Sequence, residues 1–485
     1  MIRIKGLQPV WEKSVIDEEK TTAVFTVGTP VKREVVFSAD GPCEYGRAHY
    51  LSILHDGEKY RGYYVTSYAD KKTQAEDTVA ILDSNIAYIE SEDGFNWTRP
   101  KLCICEWSGN KENNLILRSR DKIGGRRGDF FDNFFVFYDK NPNCDPKKRY
   151  KALAYAHKYM LSSYSSEDGI HFTFDGILDV EGHFDSCNVC YWDADIKRYV
   201  AYIRGFHDIP EGDLNAGIRD ARRIESEDFV NWTKPELIKF INSDDYPIYT
   251  NQIMPYYRNK DILIGFPTRY CERKAWTRNF DELCGKERRL QRLHGTSHRR
   301  QALTVTDCVF MASRDGINFD KCDEALFTPG PEYNENWIYG NCYPAYFMKE
   351  TEGDNGVKEI SMLVGHYHTM TPCEVTRPDE YVRYTLRVDG FASYNASFKG
   401  NKVVTKPFVF EGNDLHLNFS TSAKGSIYVT VRDENGRSST SYEIFGDSDD
   451  RRVHFSGAPL SEFAGRPVVI EFEMKDAKLY SFAFN

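Results

Sequence analysis

At 485 residues the chain exceeds the roughly 100 to 200 residues of a typical domain, which points to two or more units or to a large all-β domain. A net charge of −10 and a pI near 5.7 exclude nucleic acid as a general partner, because phosphate binding needs a basic face. An aromatic share of 14%, with 31 Tyr and 31 Phe, suits pleated, half-buried surfaces, so an all-β chain is expected.

The opening "MIRIKGLQPVWEKSV" lacks the apolar core of a secretion signal, and no segment approaches the roughly 18 consecutive apolar residues of a membrane span. A cytoplasmic protein with no membrane partner is therefore expected, with its twelve cysteines mostly free and buried. Cys187 and Cys190 form a CxxC in "FDSCNVCYWD", but on a strand residues i and i+3 face opposite ways, against a redox or zinc role.

In chain order, "YLSILHDGEKYRGYYV" (Tyr50 to Val65) reads as a strand, an Asp turn and a second strand. "AYIESEDGFNWT" (Ala87 to Thr98) follows, a strand ending in Ser-Glu-Asp-Gly and an aromatic. The same order returns in "FFVFYDKNPNCDPKKRYKALAYA" (Phe134 to Ala156) with "SYSSEDGIHF", and in "VCYWDADIKRYVAYIRG" (Val189 to Gly205) with "RIESEDFVNW". A fourth unit opens at "IYTNQIMPYYRNKDILIGFP" and closes on "MASRDGINF"; a fifth opens at "NWIYGNCYPAYFM" and closes on a degenerate "TLRVDGFAS". The turn aspartates Asp93, Asp168, Asp228, Asp315 and Asp389 are separated by 75, 60, 87 and 74 residues, one small sheet each time. Such self-similarity marks propeller blades, and five fit the count.

Within the phrase, Ser and Asp can bond back to nearby backbone N–H groups and Gly accepts a positive φ, so it ends a strand and the following aromatic plugs the turn. Phe229 stands where the third copy should have Gly, so that turn is expected to differ. A basic island at residues 269–301 interrupts the fourth unit, and "NFDELCGKERRLQRL" within it reads as one short helix with Asn279 as N-cap. It could cover the funnel, meet another subunit in a homo-oligomer, attract an acidic sugar, or simply be a solvated helix. From about Phe391 the alternating apolar and polar residues with Gly and Asn turns indicate an antiparallel sandwich. The expected organisation is a five-bladed β-propeller over 1–385 followed by a C-terminal β-sandwich over 386–485.

The repeated Ser-x-Asp-Gly strand, the "KRYVAYIR" type of hairpin, the "NWIYGNCYPAYF" opening and the tail "GRPVVIEFEMKDAKLYSFAFN" together resemble glycosidase-like five-bladed propeller proteins related to glycoside hydrolase families 32 and 43. The tail resembles the sandwich appended to family 32 enzymes. The likeness covers roughly residues 35 to 485 and implies a carbohydrate substrate. The family 32 signatures, Trp-Met-Asn-Asp-Pro-Asn-Gly, Arg-Asp-Pro and a third-blade Glu-Cys, are not legible here, so sucrose or fructan chemistry does not carry over. Sialidase Asp-boxes are also similar but run one residue longer.

In a propeller, polar groups from different blades converge only where the inner strands enter the axial funnel. Counting back from Asp56, Asp139, Asp193 and Asp261, taken as the turns after the inner strands, gives His49, Asp132, Asp185 and Asn251. The fifth inner strand supplies Trp337 and Tyr339 after Glu335, and Glu44 precedes the first. Glycoside hydrolysis needs a carboxylic acid for the leaving oxygen and a carboxylate for water or the anomeric carbon. Asp132 is taken as base or nucleophile, Asp185 as the transition-state or pKa-tuning carboxylate, and Glu335 or Glu44 as the acid. Alternatively Asp132 and Asp185 cap their strands or pair with Arg126 or Arg127. His49, His207, Arg219, Asn251, Arg269, His366 and His368 are candidate substrate binders, with Trp337, Tyr339 or Trp276 as stacking platforms. His366 and His368 could share a metal, but no third ligand can be named, so neither metal nor cofactor is expected. The reading is a cofactor-free glycosidase acting on a small oligosaccharide or glycoside, with a non-catalytic carbohydrate-binding propeller or an assembly module as alternatives.

Overall fold

The structure, a computed structural model, describes residues 1–68, 83–119, 131–156, 160–211, 216–295, 299–333, 336–366 and 377–485. Five antiparallel sheets follow one another, each beginning with its innermost strand. Blade 1 is His49–His55, Tyr60–Tyr68, Asp83–Ser91 and Leu115–Arg118; blade 2 is Asn133–Tyr138, Tyr150–Ala156, Met160–Ser166 and Thr173–Ile177; blade 3 is Val189–Asp193, Arg198–His207, Ile218–Ser226 and Glu236–Leu237. Blade 4 has Met254–Tyr256, Asn259–Gly265, Met311–Ser313 and Asn318–Lys321, with Lys239–Phe240 added in parallel at its edge. Blade 5 has Asn341–Pro344, Lys358–His366 and Glu380–Arg387, and its outermost strand is Val31–Ser38 from the start of the chain. The ring is thus closed by pairing the two ends of the repeat, which leaves no open seam.

The Ser-x-Asp-Gly phrase does local work first. In the first copy Asp93 Oδ1 accepts from the N–H groups of Phe95 and Asn96 at 2.8 Å each, and Ser91 Oγ accepts from Gly94 N at 2.9 Å. Asp168, Asp228 and Asp315 repeat the pattern with their own serines. The third turn does not differ, contrary to expectation: Phe229 adopts φ 67 and its N–H reaches Ser226 Oγ at 2.9 Å like the glycines. Its ring, edge-on to Tyr199 at 5.2 Å and Trp232 at 5.5 Å, buries enough aromatic surface to hold the strained backbone.

Each turn also receives a cation from the preceding blade. Arg61 of blade 1 donates to Asp168 O at 3.1 Å, Arg223 of blade 3 to Asp315 O at 2.6 Å, and Lys349 of blade 5 to Asp93 O at 2.7 Å. Between blades 2 and 3, Lys151 Nζ sits 5.0 Å over the Phe229 ring. The fifth copy departs most. Asp389 is fully buried, pairs with Arg258 of blade 4, and accepts from the hydroxyls of Tyr256 and Ser481.

The C-terminal sheet is built on the long strands Leu415–Asp433 and Pro467–Phe484, antiparallel with a register break between Thr421 and Ser426 that bends them around a core including Phe410, Phe419, Ile470 and Phe484. Three strands from the start of the chain join it: Ile2–Lys5 beside Phe408–Glu411, Leu7–Pro9 beside the last strand, and Val24–Val27 beside Ala392–Ala396. Trp11 lies buried among Tyr256, Phe310 and Phe391, its indole N–H donating to Asp389 O at 2.9 Å. Propeller and sandwich therefore share one packed boundary.

Two corrections concern blade 4. The turn after its inner strand is capped by Asn259, whose Oδ1 accepts from Asp261 N, while Asp261 lies exposed on the next strand. The basic insertion forms two helices, Arg278–Glu282 and Lys286–His294, where one was expected, broken at Gly285 with φ 75; the first N-cap is Thr277 rather than Asn279. The insertion projects from the hairpin Thr268–Glu272 and Thr304–Cys308, which continues blade 4 past the entry end of its inner strand and pairs with Ile248–Thr250. It is anchored to blade 5 by the buried Arg289, which donates to Trp337 O, and by Cys284 Sγ against Tyr333 O at 2.6 Å.

Candidate functional site

The inner strands of all five blades begin on one face, so the residues just before or at their first positions gather around the axis. Blades 1 and 4 are not neighbours in a ring of five, so the 3.2 Å contact from Tyr50 Oη to Tyr249 Oη spans that axis. Tyr249 is also edge-on to Tyr339 at 5.8 Å and Tyr343 at 5.7 Å, both from blade 5, and Tyr270 lies 5.6 Å from Tyr339. Further along the inner strands Phe135 of blade 2 meets Tyr346 of blade 5 at 4.8 Å, again between non-neighbours, and forms a floor. Aromatic side chains from different blades thus meet at the axis at two levels.

Asp132 stands at the mouth of blade 2, its N–H held by Tyr155 O at 3.2 Å. Its Oδ2 is buried and accepts no hydrogen bond. Burial pushes this carboxyl up to about 7, with the Arg204 guanidinium pulling only partly the other way. Burial raises the phenol of Tyr249, and the charge of Asp132 raises it further. Asp185, at the mouth of blade 3, forms an ion pair with Arg204, whose guanidinium is buried and lies 4.4 Å from the Phe206 ring centroid. Burial lowers the Arg204 pKa from its ordinary value. Arg219 is buried on the neighbouring strand, 4.3 Å from the Tyr270 ring and 5.3 Å from Phe206. Asp132, Asp185, Arg219 and Tyr339 are therefore brought together.

A set of asparagines fixes these mouths. Asn133 Nδ2 donates to Phe184 O at 2.6 Å, Asn188 Nδ2 to the same carbonyl at 3.0 Å, and Asn188 Oδ1 accepts from Arg204 N at 3.1 Å. One latch thus positions Asp132, Asp185 and Arg204. Asn251 is its counterpart in blade 4: buried, it accepts from Ile253 N and reaches Cys187 O at 3.4 Å, so its side chain is spent on blade packing.

Other sequence candidates are engaged elsewhere. Glu44 is fully buried and takes both Arg99 Nε at 2.7 Å and Arg99 Nη2 at 2.9 Å, with Gly41 N and the Tyr64 hydroxyl. Arg269 is bidentate on Asp307. His49 lies 3.2 Å from Arg47 Nη1 and 3.6 Å from Asp379 Oδ2; burial and the Arg47 charge hold its pKa well below the usual value, so it stands neutral beside Tyr50. His366 contacts Tyr384 Oη at 3.1 Å, and His207 bridges Asp220 and Asp245. Trp337 lies on a turn preceding the fifth inner strand, its indole bonded to Gly330 O at 2.8 Å, and Trp276 packs on Phe280. Glu335, His368, Arg126 and Arg127 lie outside the described residues. Among the described residues no group of three or more His, Cys, Asp or Glu side chains is arranged to hold a metal. Cys187 and Cys190 are both buried, and burial pushes both thiols up.

Sequence reasoning missed Arg204, Tyr50, Tyr249, Tyr270 and Tyr343. The available signal was an arginine inside the otherwise apolar run "YVAYIRGF", and the recurrence of Asn near the start of inner strands in "DNFF", "SCNVC" and "NQIM".

No protein-family model matches the chain, and no curated protein sequence does. Among solved structures it is similar to a thermostable family-43 glycoside hydrolase, at 13% identity over 74% of this chain and 92% of that one, with a TM-score of 0.41. It is also similar to a GH32 β-fructofuranosidase from Bombyx mori, at 9% identity over 98% and 96% with a TM-score of 0.38, and to an N-acetylgalactosamine deacetylase from F. plautii, at 8% identity over 77% and 96% with a TM-score of 0.46. The fold is a five-bladed β-propeller with a C-terminal β-sandwich. Families 32 and 43 are those the sequence itself resembles.

Proposed function

We propose that the chain is a glycoside hydrolase whose axial entry binds a small oligosaccharide or glycoside, with Asp132 as the proton donor. The observation that carries this reading is a carboxyl just before the inner strand of blade 2 whose Oδ2 is buried and accepts no hydrogen bond, a setting that pushes it up to about 7. Such a group stays substantially protonated near neutrality and can pass its proton to a departing glycosidic oxygen, as burial-raised carboxyls do elsewhere. This reverses the role that the sequence suggested for Asp132, since a base or nucleophile must be ionised. Asp185, held against Arg204, supplies the second carboxylate on the adjacent blade. The tyrosine rings offer faces to the apolar side of a sugar, and their hydroxyls offer hydrogen bonds.

The test is a panel of glycosides with good and poor leaving groups. Asp132→Asn is expected to lower kcat by about 10²- to 10⁴-fold on poor leaving groups and far less on nitrophenyl glycosides, which need no proton. Asp185→Asn is expected to lower kcat on both. Hydrolysis that survives both substitutions would sink the assignment. Sugar binding without turnover on every substrate would establish a carbohydrate-binding propeller instead.

A further inference from the structure

We propose that the axial site takes a sugar bearing a negatively charged substituent, a carboxylate or a sulfate ester, and that Arg219 is the residue that recognises it. The inference rests on reading the axis as a carbohydrate site.

Arg219 is only 8% exposed, yet among the described residues its guanidinium has no ion pair and no hydrogen bond, and its Nε is buried without an acceptor. Other buried arginines of the propeller are answered: Arg61 by Asp56, Arg204 by Asp185, and Arg289 by the carbonyls of Cys284 and Trp337. A buried cation without a counter-charge is costly, so a fold that keeps one in place sacrifices stability there.

Its surroundings are those of the site. Tyr270, 4.3 Å beneath it, packs against Tyr339 at the axis, and Phe206 contacts both Arg219 and Arg204. Two guanidiniums thus face one ion-paired carboxylate, Asp185, while burial favours the uncharged form of Asp132. Among the described residues the mouth carries a surplus positive charge, in a chain whose net charge is −10. Two aromatic rings lie within 5.3 Å of the guanidinium, and a planar fork of N–H donors matches a carboxylate or sulfate in two parallel hydrogen bonds.

Calorimetric titration of the full chain carrying Asp132→Asn, which slows turnover of such poor leaving groups, tests this with methyl glucuronide, methyl galacturonide and glucose 6-sulfate against methyl glucoside and methyl galactoside. At least one charged sugar is expected to bind 10-fold or more tightly than its neutral counterpart. Adding Arg219→Met should abolish that preference, and Arg219→Lys should retain part of it. Preference for the uronides identifies a carboxylate, and preference for the sulfate a sulfate ester. Equal binding of charged and neutral sugars, or a preference that survives Arg219→Met, overturns the inference and leaves the carbohydrate reading standing; no binding by any sugar overturns both. Without ligand, Arg219→Met should melt at or above the parent temperature, because it removes an unanswered buried charge. A lower melting temperature would assign Arg219 to the scaffold and overturn the inference.

Discussion

Asp132 and Phe229 both carry a cost that their neighbours sustain. For Asp132 the folded-state pKa of about 7 lies above the ordinary carboxyl value, so the native state holds a proton that the unfolded chain has released. Its contribution to stability is fully present below about pH 4 and is lost as pH rises towards 7. Asp132→Asn removes that loss, so the variant should match the parent in melting temperature near pH 4 and exceed it at pH 8. For Phe229 the left-handed backbone costs about 1 to 2 kcal/mol, whereas emptying a buried aromatic site costs about 3 to 5 kcal/mol. Phe229→Gly, which restores the consensus of the phrase, is therefore expected to destabilise by about 2 kcal/mol in urea unfolding.

At the scale of the element, the repeated turn ends a strand and also receives the side chain that joins one blade to the next. Arg61 shows the coupling: it pairs with the buried Asp56, meets Tyr88 Oη at 3.1 Å and donates to the blade 2 turn at Asp168 O. Burial pushes the Asp56 carboxyl up, but the N–H groups of Lys59 and Glu58 and the Arg61 guanidinium outweigh it and hold it below the usual range. The stability this gives is present above about pH 4 and lost as pH falls further. Arg61→Met leaves Asp56 buried without its cation and should cost about 3 kcal/mol by chemical denaturation at pH 7. Asp56→Asn in the same chain should recover part of that loss.

At the scale of the whole molecule, the degenerate fifth copy became the joint between the two parts. Asp389 is met by Arg258 and Tyr256 from blade 4, by Ser481 from the last strand of the sandwich, and through its carbonyl by Trp11 from the first residues of the chain. Asp389→Asn strips the charge that answers Arg258 and should cost about 3 kcal/mol. In scanning calorimetry the parent should unfold in one transition and the variant in two, the sandwich separating from the propeller.

The fold was largely legible because its signals are local. The hydrogen bonds of Ser-x-Asp-Gly span two or three residues, and alternation along a strand needs only its own sequence, so blade number and strand type could be read directly. Asp132 and Asp185 could be picked out because they stand seven and eight residues before the turn aspartates Asp139 and Asp193, and each precedes its inner strand in the structure. What sequence could not supply was partnership across the ring. Tyr50 and Tyr249 are 199 positions apart and meet only because five sheets close around an axis; Glu44 and Arg269 look like free polar groups until Arg99 and Asp307, 55 and 38 positions away, are folded against them. The early strands likewise pair with partners some 370 to 480 residues on, in the sandwich. By itself the sequence determined the repeat, the strands and the acids at their entrances, because these depend on neighbours along the chain. Only the tertiary structure decided which of those acids is buried without a partner and which arginine is left unanswered, because burial and counter-charge are properties of segments brought together from distant parts of the chain.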